Sequence, residues 1–66
     1  MRVVVNGQER EVASGSTVAG LVQEFRFKPE HIAIEINCEL VPRKTYADTV
    51  LRDGDQVEIV TLVGGG

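Results

Sequence analysis

Two kinds of apolar periodicity run along this chain, separated by residues that favour turns. Arg2, Val3, Val4 and Val5 form a β-branched, half-alternating run, and Gln8 to Ala13 follows with Val12 among polar side chains. Between them lies Asn6-Gly7, a pair that readily takes the two positive-φ positions of a type I′ turn, so the opening residues predict a β-hairpin. Ser14-Gly15-Ser16-Thr17 breaks the strand pattern, and Thr17 is placed to cap a helix. Val18, Leu21, Val22 and Phe25 then fall at i, i+3, i+4 and i+7, one apolar stripe, with Gln23, Glu24 and Arg26 toward water. Gly20 either weakens this helix by about 1 kcal/mol relative to alanine or marks its close packing on a sheet. Pro29 is expected to end the helix, because it pushes Lys28 out of the helical region.

Strand periodicity returns at Ile32, Ile34 and Ile36, which share one face, with Ala33 and Glu35 on the other. Asn37-Cys38-Glu39 reads as a turn, Leu40-Val41 as a short strand stopped by Pro42, and Arg43 to Val50 as loop with at most one helical turn. Asp53-Gly54-Asp55 is a second clear turn, and Gln56 to Val63 reads as the last strand. Hairpin, helix, strand, short strand and final strand make a β-grasp (ubiquitin-like) α+β fold, a mixed sheet curled over one helix. The expected domain is residues 1–63, with 64–66 a flexible glycine tail. In that arrangement the last strand lies beside the first, so Val57 and Ile59 join Val3 and Val5 in the core. Val4, Val60 and Leu62 then share the opposite face, either as isolated exposed side chains or as a docking patch beside the tail.

Length limits what such a domain can do. Its 66 residues suffice for one small core but not for a second domain or an enclosed catalytic cleft. The 42% apolar and 26% charged content is that of a folded globular chain. Cys38 is the only cysteine, so no internal disulfide is expected, which fits a reducing cytoplasm. The opening residues lack the basic and apolar regions of a secretory leader, and no apolar run approaches a membrane span. A net charge of −3 with scattered basic residues predicts no binding to nucleic acid or to an anionic membrane.

Catalytic groupings are sparse. There is one histidine, no glycine-rich phosphate loop ending in Lys-Ser/Thr, and no His/Cys pair at metal-ligand spacing. The chain therefore reads as a non-enzyme that binds no metal or cofactor. His31 sits at a loop-to-strand boundary, where a solvated imidazole is expected rather than a general base. Cys38 has Glu39 beside it and no adjacent base to favour a thiolate, so it reads as a thiol without a role. The C-terminal residues differ in kind, because Gly64, Gly65 and Gly66 follow the last strand with no side chain to anchor them. Glycine can thread a channel too narrow for side chains, and three extended residues reach roughly 10 Å into a partner's site. The alternative is an ordinary frayed end. A carboxylate at Gly66 is unreactive as it stands, so its use requires conversion to an acyl adenylate by a separate ATP-dependent enzyme. Sulfur transfer onto that carbonyl would leave a thiocarboxylate.

Several of these segments together resemble a known family. The opening strand ending in Asn6-Gly7, the Thr17-Val18 helix entry, Asn37 with Val41-Pro42-Arg43, Asp53-Gly54-Asp55 and the terminal Val63-Gly64-Gly65-Gly66 are similar to the ThiS family of sulfur carriers, within the wider ThiS/MoaD group. The resemblance spans the chain. It implies adenylation of Gly66 by a ThiF-like enzyme that consumes ATP, sulfur supplied by a cysteine-desulfurase system, and delivery to a ThiG-like thiazole synthase in thiamine biosynthesis. It also implies threading of Gly64 and Gly65 through the partner, a partner contact or a loop-anchoring role for Arg43, and a monomer when free. The third terminal glycine is a variation on the two that many relatives carry. Other readings are a MoaD-like carrier for molybdopterin synthesis, a ubiquitin-like modifier of proteins or of tRNA thiolation, and an interaction module with an inert tail.

Overall fold

The computed structural model describes residues 1–62; Val63 and the tail Gly64, Gly65 and Gly66 lie outside the described residues. Six elements follow in chain order: β1 (Arg2–Val5), β2 (Gln8–Glu11), α1 (Val18–Glu24), β3 (Ile32–Ile36), β4 (Glu39–Val41) and β5 (Gln56–Thr61). Short 3₁₀ turns occupy Pro29–His31 and Arg43–Thr45. The strands form one sheet in the order β2-β1-β5-β3-β4, with β1 parallel to β5 and the other neighbours antiparallel. This is the expected β-grasp, with β5 in the middle of the sheet.

Local chemistry accounts for the turns. Asn6 and Gly7 have φ of 50° and 81°, the type I′ geometry whose twist matches the hairpin. Thr17 caps α1 by accepting the Gly20 N–H at 3.1 Å. The helix ends sooner than Pro29 would require. Arg26 takes a left-handed φ of 62°, its N–H donates to the Gln23 carbonyl at 3.0 Å, and the Phe27 N–H donates to the Val22 carbonyl at 3.1 Å. These two bonds form a Schellman closure in which arginine occupies the position that glycine usually fills. Gly20 makes no close approach to the sheet. It is exposed, and a Cβ there would meet only the Thr17 Oγ1 at an ordinary 3.5 Å.

The core lies between α1 and one face of the sheet. Val18, Leu21 and Val22 of the helix pack with Val3 and Val5 of β1, Ile32 and Ile34 of β3, and Val57 and Ile59 of β5. Each such side chain contributes about 1.5–3 kcal/mol by leaving water. Phe25 and Ile36 sit at the margin, half-buried, and the Arg10 guanidinium lies 4.9 Å above the Phe25 ring. Leu51 and Tyr46 close the core from the long connection, which is tied to α1 by Val18 N–H to Thr49 carbonyl and Ala19 N–H to Tyr46 carbonyl bonds, both 2.9 Å.

Candidate functional site

Because β5 runs up the centre of the sheet toward the C-terminal residues, the site of interest is the end of β5 and what surrounds it. Strand alternation turns Val57 and Ile59 inward and Glu58, Val60 and Leu62 outward. Val60 is 54% exposed and lies opposite Ala33, and Leu62, 47% exposed, donates its N–H to the His31 carbonyl at 2.8 Å. That bond continues the β3–β5 ladder past the end of both strands.

The register sorts the sequence-predicted docking residues. Val60 and Leu62 are neighbours on the outer face. Val4 is half-buried and lies opposite Gln56, four residues before Val60 and therefore about 13 Å away along the strand. It belongs to the other end of the sheet, with Glu58 between. Two side chains that sequence reasoning missed take its place. Leu40, 67% exposed, and Ala33 line a groove of about 210 Å³ with Leu62 and Arg43. The alternation Leu40-Val41 could have shown this, since a buried Val41 places Leu40 outward. Arg43 reaches the groove because Pro42 leads β4 into the 3₁₀ turn.

Charge on this face is uneven. At the β2 edge the Arg2 guanidinium pairs with Glu9 at 3.2 Å and Glu11 at 3.8 Å, and the N-terminal ammonium meets Glu11 at 2.9 Å. The hydrogen bond from that ammonium, with its charge, holds the Glu11 carboxyl below the usual glutamate range. Toward the apolar end, Glu35 and Glu58 face each other across β3 and β5, and neither has an ion pair among the described residues. Like charges placed directly opposite are unfavourable, which gives the face an acidic border open to a cation.

The remaining candidates stand apart. His31 is exposed, and it is its carbonyl, not its imidazole, that is used. Cys38 is exposed in the β3–β4 turn, with Asn37 and Cys38 at φ of 52° and 72°. The described residues hold no group of three metal-ligating side chains, and none of their helices is long and apolar enough to cross a membrane. Gly64, Gly65 and Gly66 lie outside the described residues. What the described surface offers is an apolar, acid-bordered face at the end of β5.

The comparisons agree with this geometry. Residues 3–66 match the model of the ThiS family. The chain is 41% identical over 66 residues to a protein named thiazole synthase from Paramagnetospirillum magneticum, but spans only 20% of that protein's length. It is 32% identical to the sulfur carrier protein ThiS of Escherichia coli, with all of both chains covered. Among solved structures, the thiamine biosynthesis protein ThiS from Geobacter metallireducens superposes with a TM-score of 0.85 at 32% identity, again covering all of both chains. A family match along nearly the whole sequence, carried by a fold with the same β-grasp topology, places the chain in the ThiS family.

Proposed function

We propose that this chain is a sulfur carrier of thiamine biosynthesis whose working group is the Gly66 carboxylate. The observation that carries this reading is the extent of the family match, which runs through Gly64, Gly65 and Gly66 to the last residue. An ATP-dependent ThiF-like enzyme joins the carboxylate to AMP with release of pyrophosphate. A persulfide from a cysteine-desulfurase system then attacks the carbonyl and expels AMP, and a partner thiol cleaves the resulting acyl disulfide, leaving a thiocarboxylate on Gly66 and a disulfide on the partner. The acceptor is a ThiG-like thiazole synthase, a partner supported by the thiazole synthases that contain a segment similar to this chain. The chain itself contributes recognition and presentation in the cytoplasm, binds no cofactor, and is a monomer when free. Val60, Leu62, Leu40 and Arg43 form the surface a partner grips while Gly64 and Gly65 thread its channel.

The test is intact-protein mass spectrometry after incubation with ATP, a ThiF-like enzyme and a sulfur source. Replacement of one oxygen by sulfur, localised to Gly66, is the expected result. Formation of an adenylate alone would point to a wrong sulfur source, and failure of both steps would sink the carrier reading.

A further inference from the structure

A second surface lies on the helix side of the domain and shares only Arg43 and Tyr46 with the groove at the end of β5. Between the C-terminal half of α1 and the 3₁₀ turn that follows Pro42 runs a groove of about 530 Å³. Val22, Phe27 and Pro29 supply its apolar walls, Arg43 and Lys44 its charged rim, and Tyr46 lines its base. The Schellman closure at Arg26 sets Phe27 into the wall, where its ring stacks on Phe25 with centroids 6.4 Å apart.

Three observations identify what such a groove would take. Arg43 and Lys44 are the only charged side chains lining it, and neither has an ion pair among the described residues. Phe27 is itself set between Arg26 and Lys28 in the chain, so four of the seven Lys and Arg residues of an otherwise acidic protein lie in or beside these two segments. Glu24, Glu30 and Asp48 adjoin the same segments, but none lines the groove. Tyr46 is only 4% exposed, so its ring is a fixed floor for the slot. An apolar slot with an aromatic floor and two cations on its rim offers both kinds of contact that an acidic-apolar segment needs.

We propose that this groove docks a short acidic-apolar segment of a partner protein, with an apolar side chain between Val22, Phe27 and Pro29 and a flanking carboxylate on Arg43 and Lys44. Charge decides in favour of this occupant. A net charge of −3 repels an acidic segment from most of the surface and leaves this rim as its favourable approach. The site goes beyond the carrier reading, and it would stand on a chain whose tail did nothing.

The test uses the whole isotope-labelled chain, titrated by NMR with the end-blocked peptide Glu-Leu-Phe-Glu. A Lys-Leu-Phe-Lys peptide is the charge-reversed control, and naphthoate is the small-molecule arm. Shifts confined to Ala19, Val22, Phe27, Tyr46 and Ala47 with the acidic peptide alone are expected. The double substitution Arg43→Gln, Lys44→Gln should weaken binding about tenfold or more, as loss of close charge partners does. Equal binding of both peptides, shifts elsewhere, or no binding overturns the proposal. Naphthoate binding as tightly as the peptide overturns the protein-segment assignment in favour of a small aromatic acid. None of these results touches the Gly66 assay, so the two readings fail separately.

Discussion

Asn6 holds Ile59 as a neighbouring strand would: its side-chain Oδ1 accepts the Ile59 N–H at 2.7 Å and its Nδ2 donates to the Ile59 carbonyl at 3.2 Å. The main-chain pairing of β1 with β5 is short, and the Asn6 N–H to Val57 carbonyl bond at 2.9 Å closes it. The carboxamide therefore extends the ladder beyond the end of β1. Asn6→Ala loses both bonds and places a Cβ-bearing residue without a polar side chain at φ 50°, so it should destabilise the domain by about 2–3 kcal/mol. Asn6→Gly relieves the backbone but not the bonds, and should cost less. Urea denaturation of both variants checks the order; equal loss would mean that the left-handed backbone adds no cost, and an unchanged Asn6→Gly midpoint would mean that the carboxamide contributes nothing.

Cys38 presents the opposite case, a position where the native residue is unfavourable. Its φ of 72° in the Asn37-Cys38 turn suits glycine, and Asn37 already anchors the turn through Asp55 and Gln56. Cys38→Gly should raise stability by about 1 kcal/mol, read as a higher denaturation midpoint. Sulfur loading at Gly66 should not change, and a drop would give the thiol a role.

The facing pair Glu35 and Glu58 predicts a salt-dependent gain. Glu58→Lys converts repulsion to attraction and should stabilise the free domain by roughly 0.2–1 kcal/mol, with the benefit shrinking as salt is added. Thermal unfolding at low and high ionic strength measures it. A salt-independent change would mean that the two carboxylates do not interact.

Glu11 gives the pH dependence. Its carboxyl is held below its unfolded-state range by the N-terminal ammonium, so the unfolded chain binds the proton more readily. The stabilisation is complete above the unfolded-state value and is lost as pH falls through the folded one. Glu11→Gln should therefore flatten the acid limb of the stability curve while changing little on going to more alkaline pH. The effect is small because Glu11 is exposed, and parallel acid limbs in the two proteins would refute it.

Docking through the outer face is tested by Val60→Asp and Leu62→Asp. Both side chains are about half exposed, so the folded domain should survive. Affinity for a ThiG-like or ThiF-like partner should fall about tenfold or more, the cost of a charge in the centre of an interface. Unchanged binding in a calorimetric titration would remove the patch, while Val4→Asp, at the far end of the sheet, should affect binding least.

Local chemistry made much of this fold legible. Asn6-Gly7, Thr17, the isoleucine alternation and Asp53-Gly54-Asp55 each state their geometry within a few residues, and the structure follows them. What sequence did not reveal depends on partners distant in the chain. Val4 falls away from Val60 because the parallel register of β1 on β5 is set by packing and by Asn6, not by either strand's own pattern. Leu40 joins Leu62 only through the β3–β4 pairing. The early stop of α1 was hidden because Arg26 is a poor advertisement for a left-handed φ. The groove of Arg43, Lys44 and Tyr46 exists only where a loop meets a helix, and no spacing encodes that meeting.

The strand order carries a consequence for synthesis. The hairpin of β1 and β2 and the hairpin of β3 and β4 share no edge; β5 alone joins them, and it is the last strand to leave the ribosome. Until it inserts, the nascent chain holds two separate ribbons, each marginal by itself. The sheet therefore closes only once β5 has been made, so that the order of synthesis and the order of assembly coincide.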